Sequence, residues 1–230
     1  MSEGAAADAS RHLRADAQRN RERILEAARG AFADEGAQTH VAAIAERAGV
    51  GVGTVYRHFP TKEALRDALI ADRLETLQAE LVAARKEEES AWTGFRRFFR
   101  AVAHMQIRDR SLMEFIAGAS IGSAELEQQR DRLYAQAREL MRDAQREGAM
   151  RTDVEPGDMP LLLGGIAQVL AGAVPRAEEL GERCVAIVLD GLVAPGTTPL
   201  TGRALDRPEI RSLFQGCTAA AQTAPRRRSR

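Results

Sequence analysis

Residues 41–62, VAAIAERAGVGVGTVYRHFPTK, constrain the fold more than any other stretch of this chain. Apolar side chains at helical spacing, among them Ile44, predict one short helix, and a second follows directly. Between the two, Gly49 can adopt the left-handed backbone conformation that ends a helix, and Val50 would fill the corner. Pro60 would stop the second helix. The stretch therefore predicts a helix-turn-helix.

The second of these helices is rich in hydrogen-bonding side chains. Thr54, Tyr56, Arg57 and His58 supply a hydroxyl, a phenol, a guanidinium and an imidazole. Each can donate a hydrogen bond to a phosphate oxygen or to the edge of a base. The alternatives are a half-buried core position for Tyr56 and a solvated or cap-bonded imidazole for His58.

Two segments resemble one known family. Ile44 to Leu65, IAERAGVGVGTVYRHFPTKEAL, resembles the DNA-binding helix-turn-helix of the tetracycline-repressor (TetR) family of bacterial transcription regulators. Arg23 to Gly36, RILEAARGAFADEG, resembles the first helix of that family. The resemblance covers residues 20–70, and beyond Leu74 it extends only to the architecture. It implies an all-α fold of about nine helices, with an N-terminal three-helix head and a C-terminal antiparallel helical domain that binds a ligand and dimerises.

The motif departs from the usual family residues at several positions. Ser or Thr is common where this chain has His40, so Thr39 would cap the first motif helix instead. Many members carry a DNA-reaching Arg at the position of Ala42. A polar pair such as Ser-Lys is frequent where Gly51 and Val52 stand. Sequence choice therefore falls on few side chains.

The resemblance and these departures together assign the DNA contacts. Thr54 and Arg57 would read base edges, and Val52 would contact a thymine methyl group. The side chains expected at phosphates are Tyr56, His58 and Lys62. The full predicted set of DNA-binding residues is Thr39, His40, Gly51, Val52, Thr54, Val55, Tyr56, Arg57, His58 and Lys62.

Two longer helices should flank the motif. One spans about residues 20–35, with Ile24 and Ala28 on the face that packs against the motif. The other runs from Lys62 to about Arg85, with Thr61 as its N-cap. The resemblance implies that this second helix connects the head to the body and sets the separation of the two recognition helices in a dimer.

Composition favours a helical protein that folds without disulfides. The chain has 230 residues, of which 44% are apolar and 4% aromatic, and its 33 basic and 33 acidic residues cancel. Ala, Leu and Arg dominate, as in helical proteins. Residues 1–66 carry 10 basic and 9 acidic side chains, residues 67–202 carry 16 and 22, and residues 203–230 carry 7 and 2. Basic ends and an acidic middle suit a DNA-contacting head on an acidic body.

The sequence lacks signals for secretion, membrane insertion, metal binding and catalysis. The N-terminus has no apolar signal region, and no window approaches about 18 uncharged apolar residues. Cys184 and Cys217 lack metal-ligand spacing, and no nucleophile elbow or phosphate loop is present. We therefore expect a cytoplasmic protein that is not an enzyme and has no cofactor or metal. A redox role for Cys184 is the alternative to an inert buried thiol.

We expect four segments along the chain. Residues 1–18 would be a flexible arm, since they show no helical apolar stripe. Residues 19–66 would form the helix-turn-helix domain and residues 67–193 the ligand-binding and dimerisation domain. Residues 194–230 would be a largely flexible basic tail. Within it, DRPEIRSLF would form one or two helical turns with Asp206 as the cap.

An aromatic cluster follows residue 90 and has two interpretations. Phe95, Phe98 and Phe99 recur at helical spacing, so they are either core residues or the wall of a ligand cavity. A small organic effector would need a mainly apolar pocket with a few polar anchors, and Gln106 is one candidate anchor. The predicted pocket residues are Trp92, Phe95, Phe99, His104, Met105, Met113, Phe115, Tyr134, Arg138 and Gln168.

A nearly all-apolar helix, LLLGGIAQVLAGA within residues 158–173, predicts a dimer interface. A helix that is apolar on every side is buried, and at a surface only a partner can bury it. Together with the helix that ends near Leu192, it would form a four-helix bundle around a two-fold axis. The predicted interface residues are Leu161, Leu162, Gly165, Ile166, Val169, Leu170, Val185, Val188, Leu189 and Leu192.

Taken together, the residues and the resemblance predict a ligand-responsive homodimeric transcriptional repressor. It would bind a palindromic operator in double-stranded DNA and be released by a small, largely apolar effector. The alternative is a ligand-binding helical dimer whose head reads no DNA sequence, which is suggested by Ala42, Gly51 and Val52.

Overall fold

The computed structural model describes residues 3–35, 39–108, 123–170, 176–195 and 198–223. Every regular element in these ranges is a helix, and the helices are α1 (Glu3–Glu35), α2 (Val41–Ala48), α3 (Val52–His58), α4 (Lys62–Glu87), α5 (Ala91–Arg108), α6 (Ala124–Arg146), α7 (Asp158–Leu170), α8 (Ala177–Gly191) and α9 (Arg207–Thr223). None of the helices so described is long and apolar enough to cross a membrane. The predicted all-α fold is confirmed.

The chain divides into two compact units, Met1–Leu69 and Ile70–Arg230, which we name the head and the body. In the head, α1 packs against α2, and α2 against α3. The predicted stripe of α1 lies in this core, where Ile24 and Ala28 are fully buried. The core residues are Ile24, Leu25, Ala28, Ala31, Ile44, Ala45, Ala48, Val55, Phe59, Leu65 and Leu69.

Helix α1 begins at Glu3, where the sequence predicted a flexible arm. Residues 1–18 have no apolar stripe at helical spacing, which favoured an arm. Residues of high helix propensity can nevertheless form a helix there. Alanine has the highest helix propensity, and residues 5–7 are three consecutive alanines. Further along, the Gln18 amide donates to Glu22 at 2.7 Å, four residues later. Such pairs stabilise a helix without tertiary contacts.

Local capping fixes where the long helices begin. The hydroxyl of Thr61 accepts a hydrogen bond from the backbone N–H of Ala64 at 3.0 Å, so the predicted N-cap of α4 is confirmed. The Ser123 hydroxyl accepts from the N–H of Leu126 at 3.3 Å and caps α6 in the same way. Both contacts satisfy backbone donors that have no partner within the helix.

In the body, α5 is the central helix and packs against α6, α7 and α8. Helix α4 adds Leu77 and Leu81, which are fully buried. The buried core of the body is Ile70, Leu74, Leu77, Leu81, Ala84, Phe95, Phe98, Phe99, Val102, Ala103, Leu126, Leu133, Leu140, Met141, Ala144, Met150, Val154, Leu163, Val185, Leu189 and Leu192. The aromatic cluster of α5 is therefore largely core.

The C-terminal segment differs most from the sequence prediction. Asp206 caps a helix as expected, since its side chain accepts from the N–H of Glu209 at 2.9 Å. The helix, α9, continues to Thr223 instead of ending after one or two turns. Ile210 and Phe214 are buried against Ala167 of α7 and anchor α9 to the body. Apolar packing thus orders a segment whose Pro, Gly and Thr content suggested a flexible tail.

Candidate nucleic-acid interface and ligand cavity

The turn between α2 and α3 has the geometry that the sequence predicted. Gly49 has φ 62° and ψ 39°, the left-handed conformation. Its N–H donates to the carbonyl of Glu46, and the N–H of Val50 donates to that of Ala45, each at 3.0 Å. A Cβ at Gly49 would also lie 2.8 Å from Nη2 of Arg23. The backbone angle therefore favours glycine, whereas the Arg23 side chain can move aside.

Helix α3 presents one exposed face and one buried face. Val55 and Phe59 point into the head core. On the opposite side Val52 is 42% exposed and Tyr56 47% exposed, and Arg57 is exposed beside them. With Gly51 and Gly53, these residues form a surface that is apolar apart from one phenol and one guanidinium. We name this surface the α3 face.

Two predicted DNA-binding residues are buried instead. Thr39 is fully buried, and its hydroxyl donates to the carbonyl of Ala31 at 3.0 Å. It does not cap α2, because the N-cap residue is His40, which makes no side-chain capping bond. Val55 is 1% exposed. A buried hydroxyl needs an internal partner, and Thr39 finds one in α1.

Three further predicted contacts lie at the margins of the α3 face. Thr54 and His58 are half-buried. Nε2 of His58 is shielded from solvent and makes no hydrogen bond to the described residues. Nζ of Lys62 lies 5.9 Å from the ring centroid of Phe32 in a cation–π contact. The side chains of Tyr56 and Arg57 are thus the polar groups most open to a partner on this helix, while His40 is exposed at the start of α2.

The body contains a partly open cavity of about 100 Å³ between α5, α6 and α7, with Leu77 of α4 in its wall. Its surface is mainly apolar, with polar groups from Gln106, Arg130, Tyr134 and Arg138. The lining residues are Leu77, Phe95, Phe98, Phe99, Val102, Gln106, Arg130, Leu133, Tyr134, Ala137, Arg138, Met141, Pro156, Met159, Pro160 and Leu163. A mainly apolar cavity with a few polar groups is typical of a small-molecule site.

The cavity gathers four of the predicted pocket residues, namely Phe95, Phe99, Tyr134 and Arg138. Trp92 lies behind this wall, stacked on Phe95 with ring centroids 6.0 Å apart. Met105 packs on the body core. His104 is exposed, and its Nε2 lies 3.3 Å from Oε1 of Glu182 on α8.

The remaining predicted pocket residues are Gln168, Met113 and Phe115. Gln168 is exposed on α7. Met113 and Phe115 lie outside the described residues. Arg130 was not predicted, although a signal was available: Arg130, Tyr134 and Arg138 follow one another at intervals of four residues along α6. That spacing places side chains on one helix face.

A charged cluster borders the cavity where α9 meets α6. Arg130 is 4% exposed, and its Nε and Nη2 donate to Oδ1 of Asp131 at 3.2 and 3.1 Å. Nη2 of Arg207 donates to the same oxygen at 2.5 Å. The Arg207 guanidinium also lies 4.9 Å from the ring centroid of Tyr134. Asp131 is therefore shared by two guanidiniums.

This environment shifts two pKa values. Burial alone would raise the pKa of Asp131, but the hydrogen bonds from Arg207 and Arg130 outweigh it and hold that pKa below its usual range. Burial raises the pKa of Tyr134, and the nearby charges of Arg207 and Arg138 oppose the rise. The phenol therefore remains a neutral hydrogen-bond donor near neutral pH.

The predicted dimer residues separate into buried and exposed groups. Leu170, Val185, Leu189 and Leu192 are buried within the subunit. Leu161 packs on the Ile210 and Phe214 cluster, because α9 covers that side of α7. The half-buried ones are Leu162, Ile166 and Val188.

Exposed apolar surface remains on α7 and α8. Val169 is 74% exposed, and Ile187 is 63% exposed. Gly165 is exposed too, and no atom would lie within 4 Å of a Cβ added there. We name Gly165, Val169 and Ile187 the α7–α8 patch.

Comparison with known proteins defines the class. Residues 24–69 match the family described as bacterial regulatory proteins, tetR family. Residues 89–194 match the family described as transcriptional regulator SbtR-like, C-terminal domain. The chain belongs to the TetR family of bacterial transcriptional regulators. The first match spans the head motif, and the second spans the cavity helices α5 to α8.

Solved structures of TetR-family regulators are similar to this chain. A TetR transcriptional regulator from Streptomyces coelicolor is 30% identical, with 77% of this chain and 99% of that chain covered and a TM-score of 0.55. A TetR transcription regulatory protein from Mycobacterium vanbaalenii is 34% identical over 79% of this chain and 99% of its own, with a TM-score of 0.54. CprB from S. coelicolor A3(2) shares the fold at 21% identity, over 91% of this chain and 100% of its own, with a TM-score of 0.59. A search of curated proteins gives no match.

Proposed function

We propose that this regulator is a homodimeric repressor that binds a palindromic operator through the α3 face and is released by a small organic effector bound in the body cavity. The observation that carries the proposal is the two-sided character of α3. Its apolar residues Val55 and Phe59 fix the helix on the head core, while Val52, Tyr56 and Arg57 are exposed on the other side. A recognition helix needs this division in order to enter a major groove.

Each exposed group of the α3 face suits a different feature of DNA. The Arg57 guanidinium can bind the O6 and N7 atoms of a guanine with two hydrogen bonds. The Val52 side chain can pack against a thymine methyl group, and the Tyr56 phenol can donate to a phosphate oxygen. One guanidinium on each α3 face gives a short half-site, so a dimer is needed to reach useful specificity. Two heads would then lie about 34–36 Å apart in successive major grooves.

The dimer is proposed to form through the α7–α8 patch. Val169 and Ile187 are the two most exposed large apolar side chains among the described residues. Burying an apolar side chain of this size contributes about 1.5–3 kcal/mol, so their burial against a second copy would be favourable. Gly165 would allow the partner's backbone to approach closely.

Effector release is proposed to act through α4. This helix contributes Leu65 to the core of the head and Leu77 to the wall of the cavity. An effector that fills the cavity presses on Leu77 and favours a different position of α4. A hundredfold preference of the effector for the released conformation corresponds to about 2.7 kcal/mol per site.

DNA binding is tested by selection from a random duplex library, followed by affinity measurements at several salt concentrations. We expect a palindromic sequence to be enriched. Arg57→Ala should cost about 1–3 kcal/mol and relax the preference at one base pair of each half-site. Arg142→Ala is the matched control, since Arg142 is an exposed arginine of α6 in the body. A selection that enriches no sequence would contradict the repressor and support the alternative, a ligand-binding dimer without sequence readout.

Dimerisation is tested separately by sedimentation. Val169→Asp should place a carboxylate in the interface and produce a monomer at micromolar concentration. Val82→Asp is the control, because Val82 is another exposed valine, 48% accessible, on α4. If the wild-type protein is monomeric, or if both variants remain dimeric, the α7–α8 patch is not the interface.

A further inference from the structure

We infer that the effector is a compact organic acid, with a single ring or short alkyl body in the apolar part of the cavity and a carboxylate paired with Arg138. This inference rests on the effector site proposed above and names the chemical class that the site would accept. Size, charge and unsatisfied polarity of the cavity support it independently.

The size of the cavity limits the apolar body of the ligand. Its volume is about 100 Å³, which is below the range of about 300–1,000 Å³ that is usual for drug-sized ligands. An apolar cavity of about 150 Å³ accommodates benzene in another protein. Phe95, Phe99 and Leu133 line the space, so a short chain fits, whereas a single ring, which needs about 150 Å³, requires small shifts of these side chains.

The charge of the lining selects the head group. Among the described residues, two arginines and no aspartate or glutamate line the cavity. Arg130 is held by Asp131, as described above, whereas no described carboxylate lies within ion-pair distance of Arg138. Its neighbour Glu139 pairs with Arg146 at 2.9 Å and more loosely with Arg142.

A guanidinium without a carboxylate partner favours an anionic ligand over a cationic one. Charge-assisted hydrogen bonds from Arg to a carboxylate are often bidentate and are roughly twice as strong as neutral ones. Tyr134 lies one turn before Arg138 on α6, and its phenol is a neutral donor that can bind the same carboxylate. Both donors line the same mainly apolar cavity, and the Arg138 side chain is exposed, so its guanidinium can be reached from solvent.

The side chain of Gln106 gives independent evidence that a hydrogen-bond donor is missing from the cavity. Its side chain is 2% exposed, and Oε1 has no hydrogen-bond donor among the described residues. Leaving a buried acceptor unsatisfied is costly, and native proteins seldom do so unless water or a ligand completes the bond. Gln106 belongs to α5, opposite the α6 row, so a ligand with a second polar group can bridge the two helices.

The inference is tested with three ligands that share one ring and differ in charge. Benzoate is anionic, benzamide is neutral and benzylamine is cationic at pH 7. Calorimetry on the full-length protein gives the affinities. Trp92 is the only tryptophan of the chain and stacks on Phe95 of the cavity wall, so its fluorescence reports whether binding occurs there. We expect benzoate to bind about tenfold or more tightly than benzamide, and benzylamine to bind most weakly.

Arg138→Met isolates the charge while keeping an unbranched side chain of comparable length. Benzoate should lose its advantage over benzamide, and unchanged benzamide affinity would show that the cavity is intact. Arg142→Met is the matched control, since Arg142 is an exposed arginine four residues later that does not line the cavity. It should preserve the order of affinities.

The outcomes separate this inference from the proposed function. If benzamide binds as tightly as benzoate, the acid class is wrong. If Arg138→Met retains the preference for benzoate, the pairing of the carboxylate with Arg138 is wrong. The effector cavity stands in both cases. If none of the three ligands changes Trp92 fluorescence or releases heat, both the acid class and the cavity as effector site are wrong. Operator binding measured on the same samples remains an independent test of the DNA-binding proposal.

Discussion

Replacing Gln106 with leucine should stabilise the body of the protein. The side chain is 2% exposed, and its Oε1 is buried without a hydrogen-bond donor among the described residues. An unsatisfied buried polar atom costs about 1–3 kcal/mol, and leucine has a similar size without that atom. Apolar neighbours such as Phe99 and Val102 would accept the new side chain. We therefore expect a gain of about 1–3 kcal/mol in the free energy of unfolding.

Chemical unfolding followed by Trp92 fluorescence measures this gain, because Trp92 packs on the body core. For a chain of this size, about 1 kcal/mol corresponds to a shift of about 2–4 °C in Tm. Gln128→Leu is the control, since Gln128 is exposed on α6 and the same exchange should change stability by less than about 0.5 kcal/mol. A destabilised Gln106→Leu variant would refute the reasoning, because it would mean that the amide is satisfied in the folded protein.

Three further predictions concern other parts of the chain. Gly157→Ala would place a Cβ 2.0 Å from the carbonyl oxygen of Leu205, so thermal unfolding should show a loss of about 1–3 kcal/mol. Hydrogen bonds from the Arg203 side chain and from the backbone lower the pKa of Glu209 from 4.5 to about 2. Its contribution to α9 is therefore complete above pH 4.5 and lost as the pH falls towards 2, and hydrogen-exchange protection of α9 should fall in that window for the wild type but not for Glu209→Gln. Thr39→Val removes a buried hydrogen bond to α1 and should cost the head about 1–2 kcal/mol, measured by circular dichroism during heating.

Local chemistry made most of the head predictable. Gly49 and Thr61 act through their own backbone and side-chain geometry, and both roles follow from residue type and position. A list of motif positions does not say which side of a helix faces the core. For that reason Thr39 was grouped with the DNA contacts, although it is fully buried.

The cavity was only partly predictable for a related reason. Trp92 and Phe95 are three residues apart on α5 and stack on each other, yet only Phe95 lines the cavity. Helical spacing brings such residues to one side of the helix, but the neighbouring helices decide which of them faces open space. Pro160 and Arg130 reach the cavity through the placement of α6 and α7, which no local pattern records.

The C-terminal helix was predicted too short because its stability is tertiary. Ile210 and Phe214 are two apolar residues in an otherwise polar segment, and that pattern alone does not distinguish a packed helix from a tail. Leu161 was assigned to the dimer interface for the same reason, since the helix that covers it had been assigned to the tail. The assignment of α9 to a flexible tail thus also changed the interpretation of the α7 surface around Leu161.

The position of α9 also has a practical consequence for defining the ligand-binding unit. The match to the C-terminal family domain ends at residue 194, whereas Arg207 holds Asp131 and stacks on Tyr134 of the cavity wall. A boundary drawn from homology would therefore separate α9 from the cavity wall that it contacts. Fragments, chimaeras or fusion proteins that exchange this domain need to carry the chain through α9 if they are to inherit its ligand selectivity.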